Sequence, residues 1–269
     1  MSSPAPRSRL GRWLRSLRGM LATAPGPARR WEDGLADELA FWDRWLQAAD
    51  APGFRFRMDP ASRLQPWIER WLDPGRSTHR IVDVGSGPLT VLGRRSPMGE
   101  IEVTCCDPLA EPYMALLRRH GIAVQHPIVA VAGEELSARL PRGSFDVAFS
   151  NNALDHTRDP VRVLGEMACV TRIGGHVVVQ VGEREGMRAG YTGLHQWDCS
   201  VDGDRLRIAA RGGEPVDVAA ALGGQVEPVL VEHVHVNPAG LPWDSPHIRA
   251  VFRRVTGSAS RGSVGARDG

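Results

Sequence analysis

IVDVGSGPLT, Ile81 to Thr90, decides how the rest of the chain is read. An apolar run carrying one acid, Asp83, meets two glycines, Gly85 and Gly87, and then Pro88. A backbone this bare at the end of a strand admits a ligand where any side chain would collide. Three kinds of loop compete for the pattern. A phosphate-cradling loop ends in Gly-Lys-Ser/Thr, and the chain has no lysine at all. A dinucleotide loop has the form G-x-G-x-x-G/A, and Thr90 stands where the third glycine or alanine belongs. The remaining form is D-x-G-x-G closing a first strand, which Asp83, Gly85 and Gly87 satisfy.

Outward from that loop the chain alternates. Apolar runs at 80–84, 101–106, 122–131, 145–149 and 175–181 are separated by helix-like stretches at 88–95, 109–120, 134–140 and 160–171. Short apolar runs alternating with helices predict parallel strands covered on both faces. After 182 come an irregular stretch, a turn at Asp202-Gly203, a helix at 215–222 and two strands, 226–236 and 247–255. A Pro- and Gly-containing connection without a helix joins those two strands and favours antiparallel pairing.

The D-x-G-x-G form suits S-adenosylmethionine. The glycines clear space for its ribose and amino-acid parts, and Asp83 can receive its ammonium group. The next strand ends at Asp107, twenty positions after Gly87. An acid there can hold both ribose hydroxyls. NAD uses the same contact, so Asp107 alone does not separate the two ligands; its pairing with Asp83 and a degenerate glycine loop does.

The segment FDVAFSNNALDHTRDPVRVLGEMACVTRIGGHVVVQV, 145–181, resembles the fourth strand, following helix and fifth strand of class I S-adenosylmethionine-dependent methyltransferases. The likeness covers roughly 79–182, and the final hairpin is consistent with it. GLHQWD, 193–198, extends it to a bacterial subgroup acting on small molecules or glycans. The resemblance implies an α/β, Rossmann-like, seven-stranded, mostly parallel sheet of order 3-2-1-4-5-7-6 with strand 7 antiparallel and an N-terminal helical cap. It implies a donor lying across the carboxyl ends of strands 1 and 4, contacted by Asp83, Gly85, Gly87, Asp107, Pro108 and Asn151. Two positions depart from the family pattern: Leu89 replaces a common third loop glycine, and the acid that often faces adenine is replaced in VAGEEL by Ala132 or Gly133. Glu134 or a Gly133 backbone group can serve in its place.

For the acid–base chemistry the candidates are Asp155 and His156, just after strand 4, and His195. His195 follows strand 5 on the open side of the crevice, and an imidazole is suited to take a proton from an acceptor hydroxyl. Asp155 and His156 can instead shape the loop they sit in. Arg55 and Arg57 can hold the donor carboxylate or an anionic acceptor. His233 and His235 share one face of a strand at metal-ligand spacing, but at a sheet edge, where surface packing is expected; nothing in the sequence requires a metal.

The ends and the bulk composition complete the organisation. Residues 1–30 carry seven arginines and no acid, with Leu10, Trp13, Leu14, Leu17, Met20 and Leu21 on one helical arc. This predicts a basic amphipathic arm whose residues 7–21 can touch an anionic membrane surface. A helical cap follows over 31–78, with one helix carrying Leu35, Leu39, Trp42 and Leu46 in a stripe, a turn at Pro52-Gly53 and a short helix at 62–72. The methyltransferase core spans 79–255, and 256–269 reads as a disordered tail. A net charge of +2 gives no field for nucleic acid. Cys105, Cys106, Cys169 and Cys199 form no CxxC pair, which favours reduced thiols in a cytoplasmic protein. The expectation is a methyl transfer to oxygen, with nitrogen second, on a small-molecule or glycan-like acceptor. The alternatives are an NAD(P)-dependent oxidoreductase and a non-catalytic S-adenosylmethionine-binding regulator. No feature of the sequence specifies an oligomeric state.

Overall fold

The structure is a computed structural model that describes residues 27–48, 52–123, 126–236 and 242–256. The arm at 7–21 and the tail from 257 lie outside these residues. Helices α1 (Pro27–Gln47), α2 (Pro52–Met58) and α3 (Pro66–Glu69) precede the first strand. The core then runs β1 (Thr78–Val84), β2 (Arg95–Ser96), β3 (Gly99–Asp107), α4 (Ala110–Arg119), β4 (Ile128–Ala130), α5 (Leu136–Arg139), β5 (Phe145–Asn151), α6 (Pro160–Val170) and β6 (Thr171–Gly182). Beyond it lie α7 (Glu185–Arg188), β7 (Trp197–Asp202), β8 (Arg205–Ala210), β9 (Val216–Asp217), α8 (Val218–Ala221), β10 (Val226–Val236) and β11 (Pro242–Arg254).

The main sheet is ordered β10-β11-β6-β5-β1-β3, with β4 and the short β2 both pairing with β3. Counting only β1, β3, β4, β5, β6, β10 and β11, this is the expected 3-2-1-4-5-7-6 order. β11 is antiparallel to both β6 and β10. The sheet has eight strands rather than seven, because the β2–β3 hairpin adds an antiparallel edge.

Alternation explains why both faces are covered. Along a strand successive side chains point to opposite faces. Val82, Val84, Ala148, Val177 and Val179 enter one core with Val163, Leu164 and Met167 of α6. Ile81, Val147, Phe149, Val178 and Val251 enter the other with Leu64, Ile68 and Leu72. Helix α6 starts where Asp159 accepts the Arg162 N–H at 3.0 Å and Pro160 opens the first turn, a well-formed N-cap.

Three expectations need correction. Residues 88–95 are not helical. Pro88 and the β-branched Thr90 and Val91 weaken a helix there, and the segment runs instead against 62–64, with Arg94 and Arg95 donating to the Ser62 carbonyl at 2.7 and 3.0 Å. Gly93 allows the approach, since a Cβ there would strike the Arg63 carbonyl. Second, Pro52 and Gly53 begin the helix α2 instead of making a turn. Third, the stretch after 182 is ordered: β7, β8 and β9 form a separate antiparallel sheet whose Cys199, Leu206 and Ile208 pack into the α6-side core. The tight connection at Asp202-Gly203 is its first hairpin.

Candidate active site

The carboxyl ends of β1, β5 and β6 open into a cavity of about 760 Å3. Its floor holds Asp83, Gly85, Asn151, Asn152, Asp155 and His156. Glu38, Trp42 and Arg57 come from the cap, and His195 and His247 from the far side.

The loop after β1 is held by Gly85 and Ser86 N–H groups donating to the Cys106 carbonyl at 2.9 and 3.1 Å. Gly85 and Gly87 have φ of +71° and +62°, which side chains disfavour. A Cβ on Gly85 would also collide with that of Ala153, and one on Gly87 would lie 2.8 Å from the Trp42 ring. Asp83 is buried and accepts the Thr90 hydroxyl at 2.5 Å. Burial raises its pKa to about 6, against the lowering effects of Thr90 and Arg57. Asp107, also buried, accepts the N–H groups of Leu109 at 2.8 Å and Gly87 at 3.1 Å. Burial pushes its pKa to about 7, with those two bonds opposing and Glu38 and Asp83 adding to the rise.

At the end of β5, Asn151 accepts an N–H from Gln180 at 3.3 Å. Gln180 in turn accepts from Arg249, which lies over the Trp67 ring and donates to Glu232 at 2.9 Å. This buried chain fixes which way the Asn151 amide points. Asn152 holds φ +49° beside it.

Asp155 and His195, forty positions apart, meet with Asp155 Oδ2 2.7 Å from His195 Nδ1. His156 Nε2 lies 3.1 Å from the same His195 nitrogen, and the two rings meet edge to face. The hydrogen bond to Asp155 raises the His195 pKa, against the effect of burial. Burial alone would raise the Asp155 pKa, but the charges of His156 and His195 and the His195 hydrogen bond bring it below the usual carboxylate value. The His195 loop is tied to the cap, because Gly34 of α1 packs so close that a Cβ would sit 2.7 Å from the Gly193 carbonyl carbon. The indole N–H of Trp197 donates to the Thr157 carbonyl at 2.8 Å and holds the loop from the other side.

The cap contributes groups that the sequence pattern did not single out. Glu38 accepts from the Trp42 indole at 2.8 Å and the Tyr113 hydroxyl at 3.2 Å. Their only sequence signal is position on the apolar edge of a helix that precedes the first strand. Arg57 lies on the cavity wall over the Trp42 and Trp45 rings and donates to the Leu89 carbonyl, while Arg55 is exposed.

Several expected donor contacts stand away from the cavity. Its wall includes Asp83, Gly85 and Asn151 but not Gly87, Asp107, Pro108, Gly133 or Glu134. Trp42 covers Gly87. Pro108 is exposed. A Cβ on Gly133 would meet Val163 at 3.0 Å, so that glycine faces the core. Glu134 accepts the N–H groups of Arg158 at 2.8 Å and Asp159 at 3.1 Å and braces the start of α6. His233 and His235 are exposed on the edge strand β10, and His233 lies 3.3 Å from Glu183.

A fit with S-adenosylmethionine can be tested on this geometry. The methionine half fits, since the cavity offers a buried carboxylate beside a glycine with no room for a side chain. The ribose half meets Asp107 only if Trp42 gives way.

The methyltransferase domain family matches residues 82–179. A ubiquinone biosynthesis O-methyltransferase of Bordetella pertussis is 29% identical over 178 residues, covering 57% of this chain and 72% of that protein. Its namesake from Cupriavidus pinatubonensis is 30% identical over 131 residues, covering 46% and 51%. Among solved structures, the complex of the Haloferax volcanii Trm112 methyltransferase activator with a methyltransferase aligns with a TM-score of 0.51 at 13% identity, over 83% of this chain and 99% of that one; this likeness speaks to the fold alone. The D-x-G-x-G loop, the sheet order and the domain match converge: residues 82–179 carry a methyltransferase domain, on the sheet order of class I S-adenosylmethionine-dependent methyltransferases.

Proposed function

We propose that this methyltransferase moves the donor's methyl group to an oxygen of a small-molecule or glycan-like acceptor bound in the cavity beside His195. The observation that carries this is the 2.7 Å contact between the buried Asp155 carboxylate and His195 Nδ1 on the wall of the same cavity as Asp83 and Gly85. The names of the two O-methyltransferase relatives point the same way.

S-adenosylmethionine supplies a methyl group on a sulfonium, which departs as a neutral thioether. Asp83 receives the ammonium group and Asp107 the ribose hydroxyls, with Gly85 and Gly87 giving the clearance. Pro108, Gly133 and Glu134, which stand back from the cavity, take no direct donor contact in this reading. Asn151, its amide oriented by Gln180, faces the methionine end. Trp42 and Glu38 roof the site, so donor entry requires α1 to shift. With Nδ1 donating to Asp155, His195 has Nε2 left to accept the hydroxyl proton as the new O–C bond forms and the C–S bond breaks. His156 braces the pair.

Replacing His195 tests the reading. Using purified chain, labelled donor and a lysate as the acceptor source, His195→Ala lowers turnover by about 10²–10⁴-fold and leaves S-adenosylhomocysteine affinity unchanged. Full turnover in that variant, with the loss appearing in His156→Ala instead, would transfer the role to His156.

No helix among the described residues is long and apolar enough to cross a membrane. A cytoplasmic location, with residues 7–21 resting on the inner face of an anionic membrane near its acceptor, belongs to the same proposal and rests on the arginine pattern of that arm.

A further inference from the structure

We propose that Asp155, His156 and His195 form a binding site for one first-row divalent cation, open to the acceptor cavity. Among the described residues this is the one group of three His, Cys, Asp or Glu side chains whose ligand atoms converge. The atoms are Asp155 Oδ2, His156 Nε2 and His195 Nδ1, separated by 2.7, 3.1 and 3.6 Å. Neighbouring ligand atoms around such a cation, about 2.1 Å from each, lie roughly 3.0–3.4 Å apart. A centre about 2.1 Å from all three atoms exists, about 1 Å out of their plane.

Hydrogen bonding accounts for only part of this triangle. One proton on His195 Nδ1 satisfies Asp155. It leaves His156 Nε2 at 3.1 Å from a nitrogen whose single proton is already engaged. A cation satisfies all three lone pairs at once. Two imidazoles and one carboxylate suit zinc, cobalt, iron or manganese better than calcium or magnesium. The outer shell agrees: His156 turns its other nitrogen, Nδ1, toward Glu38 at 3.8 Å, and Glu38 is held by Trp42 and Tyr113. A carboxylate behind a ligating histidine is the usual arrangement.

The three ligands lie on one side of the cation and leave its other positions toward the cavity, where hydroxyl oxygens of an acceptor can bind. A coordinated hydroxyl is a stronger acid. Its proton leaves to solvent, the oxygen bonds to the methyl carbon, and the C–S bond breaks. This use rests on the O-methyl transfer proposed above and replaces His195 as the base, because a histidine bound through Nδ1 keeps its proton on Nε2. Cation binding itself does not depend on that reading.

Untagged full-length protein, stripped with chelator and titrated with Co2+, decides the matter. The wild type is expected to take one Co2+ with a visible ligand-field band and hyperfine-shifted N–H resonances from two imidazoles. His156→Ala and His195→Ala each lose the band, His233→Ala keeps it, and Glu38→Gln weakens binding by about tenfold. S-adenosylhomocysteine binding, measured alongside, verifies the fold of each variant. Absence of stoichiometric Co2+ in the wild type, shifted resonances from no histidine, or an unchanged band in folded His195→Ala would overturn the proposal. Loss of S-adenosylhomocysteine binding with Co2+ retained would count against the donor site and leave the cation site standing.

Discussion

Donor affinity should fall steeply on acidification, because burial raises the pKa of the two acids of the proposed donor site and the bound form needs both as carboxylates. The pKa values of Asp83 and Asp107 are raised to about 6 and about 7. In the proposed donor site the ammonium and ribose hydroxyls bind the carboxylate forms, so binding should pull both values down. Affinity is then complete above about pH 8 and lost as pH falls through about 7 and then 6. At pH 5 a group with a pKa of about 7 costs about 100-fold and one of about 6 about tenfold, together about 4 kcal/mol at 1.36 kcal/mol per unit. At pH 6.5 the two groups together should release about one proton per ligand bound. In the unliganded protein the sign reverses. An acid whose pKa is raised by folding favours the folded state at low pH, so these two groups add stability as pH falls from 8 toward 5. Calorimetry with S-adenosylhomocysteine in buffers of different ionisation enthalpy reads both affinity and proton release. A flat affinity from pH 5 to 8 with no buffer dependence would refute the assignment of these two acids.

Two further outcomes follow from packing and charge. Gly85→Ala places a methyl against Ala153 at φ +71°, and strain plus overpacking should cost about 2–4 kcal/mol in urea unfolding; an unchanged midpoint would contradict the close approach. Full-length protein should sediment with anionic vesicles, release in high salt and lose binding when residues 1–28 are deleted, each arginine near the surface contributing about 1 kcal/mol; indifference of both forms to vesicles removes the membrane proposal.

The parallel strands were legible because IVDV and FDVAF carry apolar residues on both faces, as central parallel strands do, and the glycines after Val84 mark a carboxyl end; their order came from the family resemblance. The segment 88–95 misled because Leu89, Val91 and Leu92 offer apolar residues at helical spacing. The partner that claims this segment, the 62–64 strip, is known only from tertiary structure. The β7–β9 sheet was missed since DCSVD and RLRIAA are short and half-polar. Within the site, Asp155, His156 and His195 could each be named from residue type and position. That they share one point could not, because the contact depends on how α1 and Trp197 pin the 193–195 loop. Glu38 and Trp42 were hidden for a related reason: a stripe on a cap helix gives no sign of which donor atoms it covers.

The central claim is that this chain holds S-adenosylmethionine through the paired acids of the glycine loop. Titration calorimetry with S-adenosylhomocysteine and with NAD, on the wild type and on Asp107→Ala, tests it most directly. One S-adenosylhomocysteine per chain should bind in preference to NAD, and Asp107→Ala should weaken that binding by about 1–3 kcal/mol, as expected for hydrogen bonds to a charged group. Preference for NAD, or undiminished affinity in a folded Asp107→Ala variant, would contradict it.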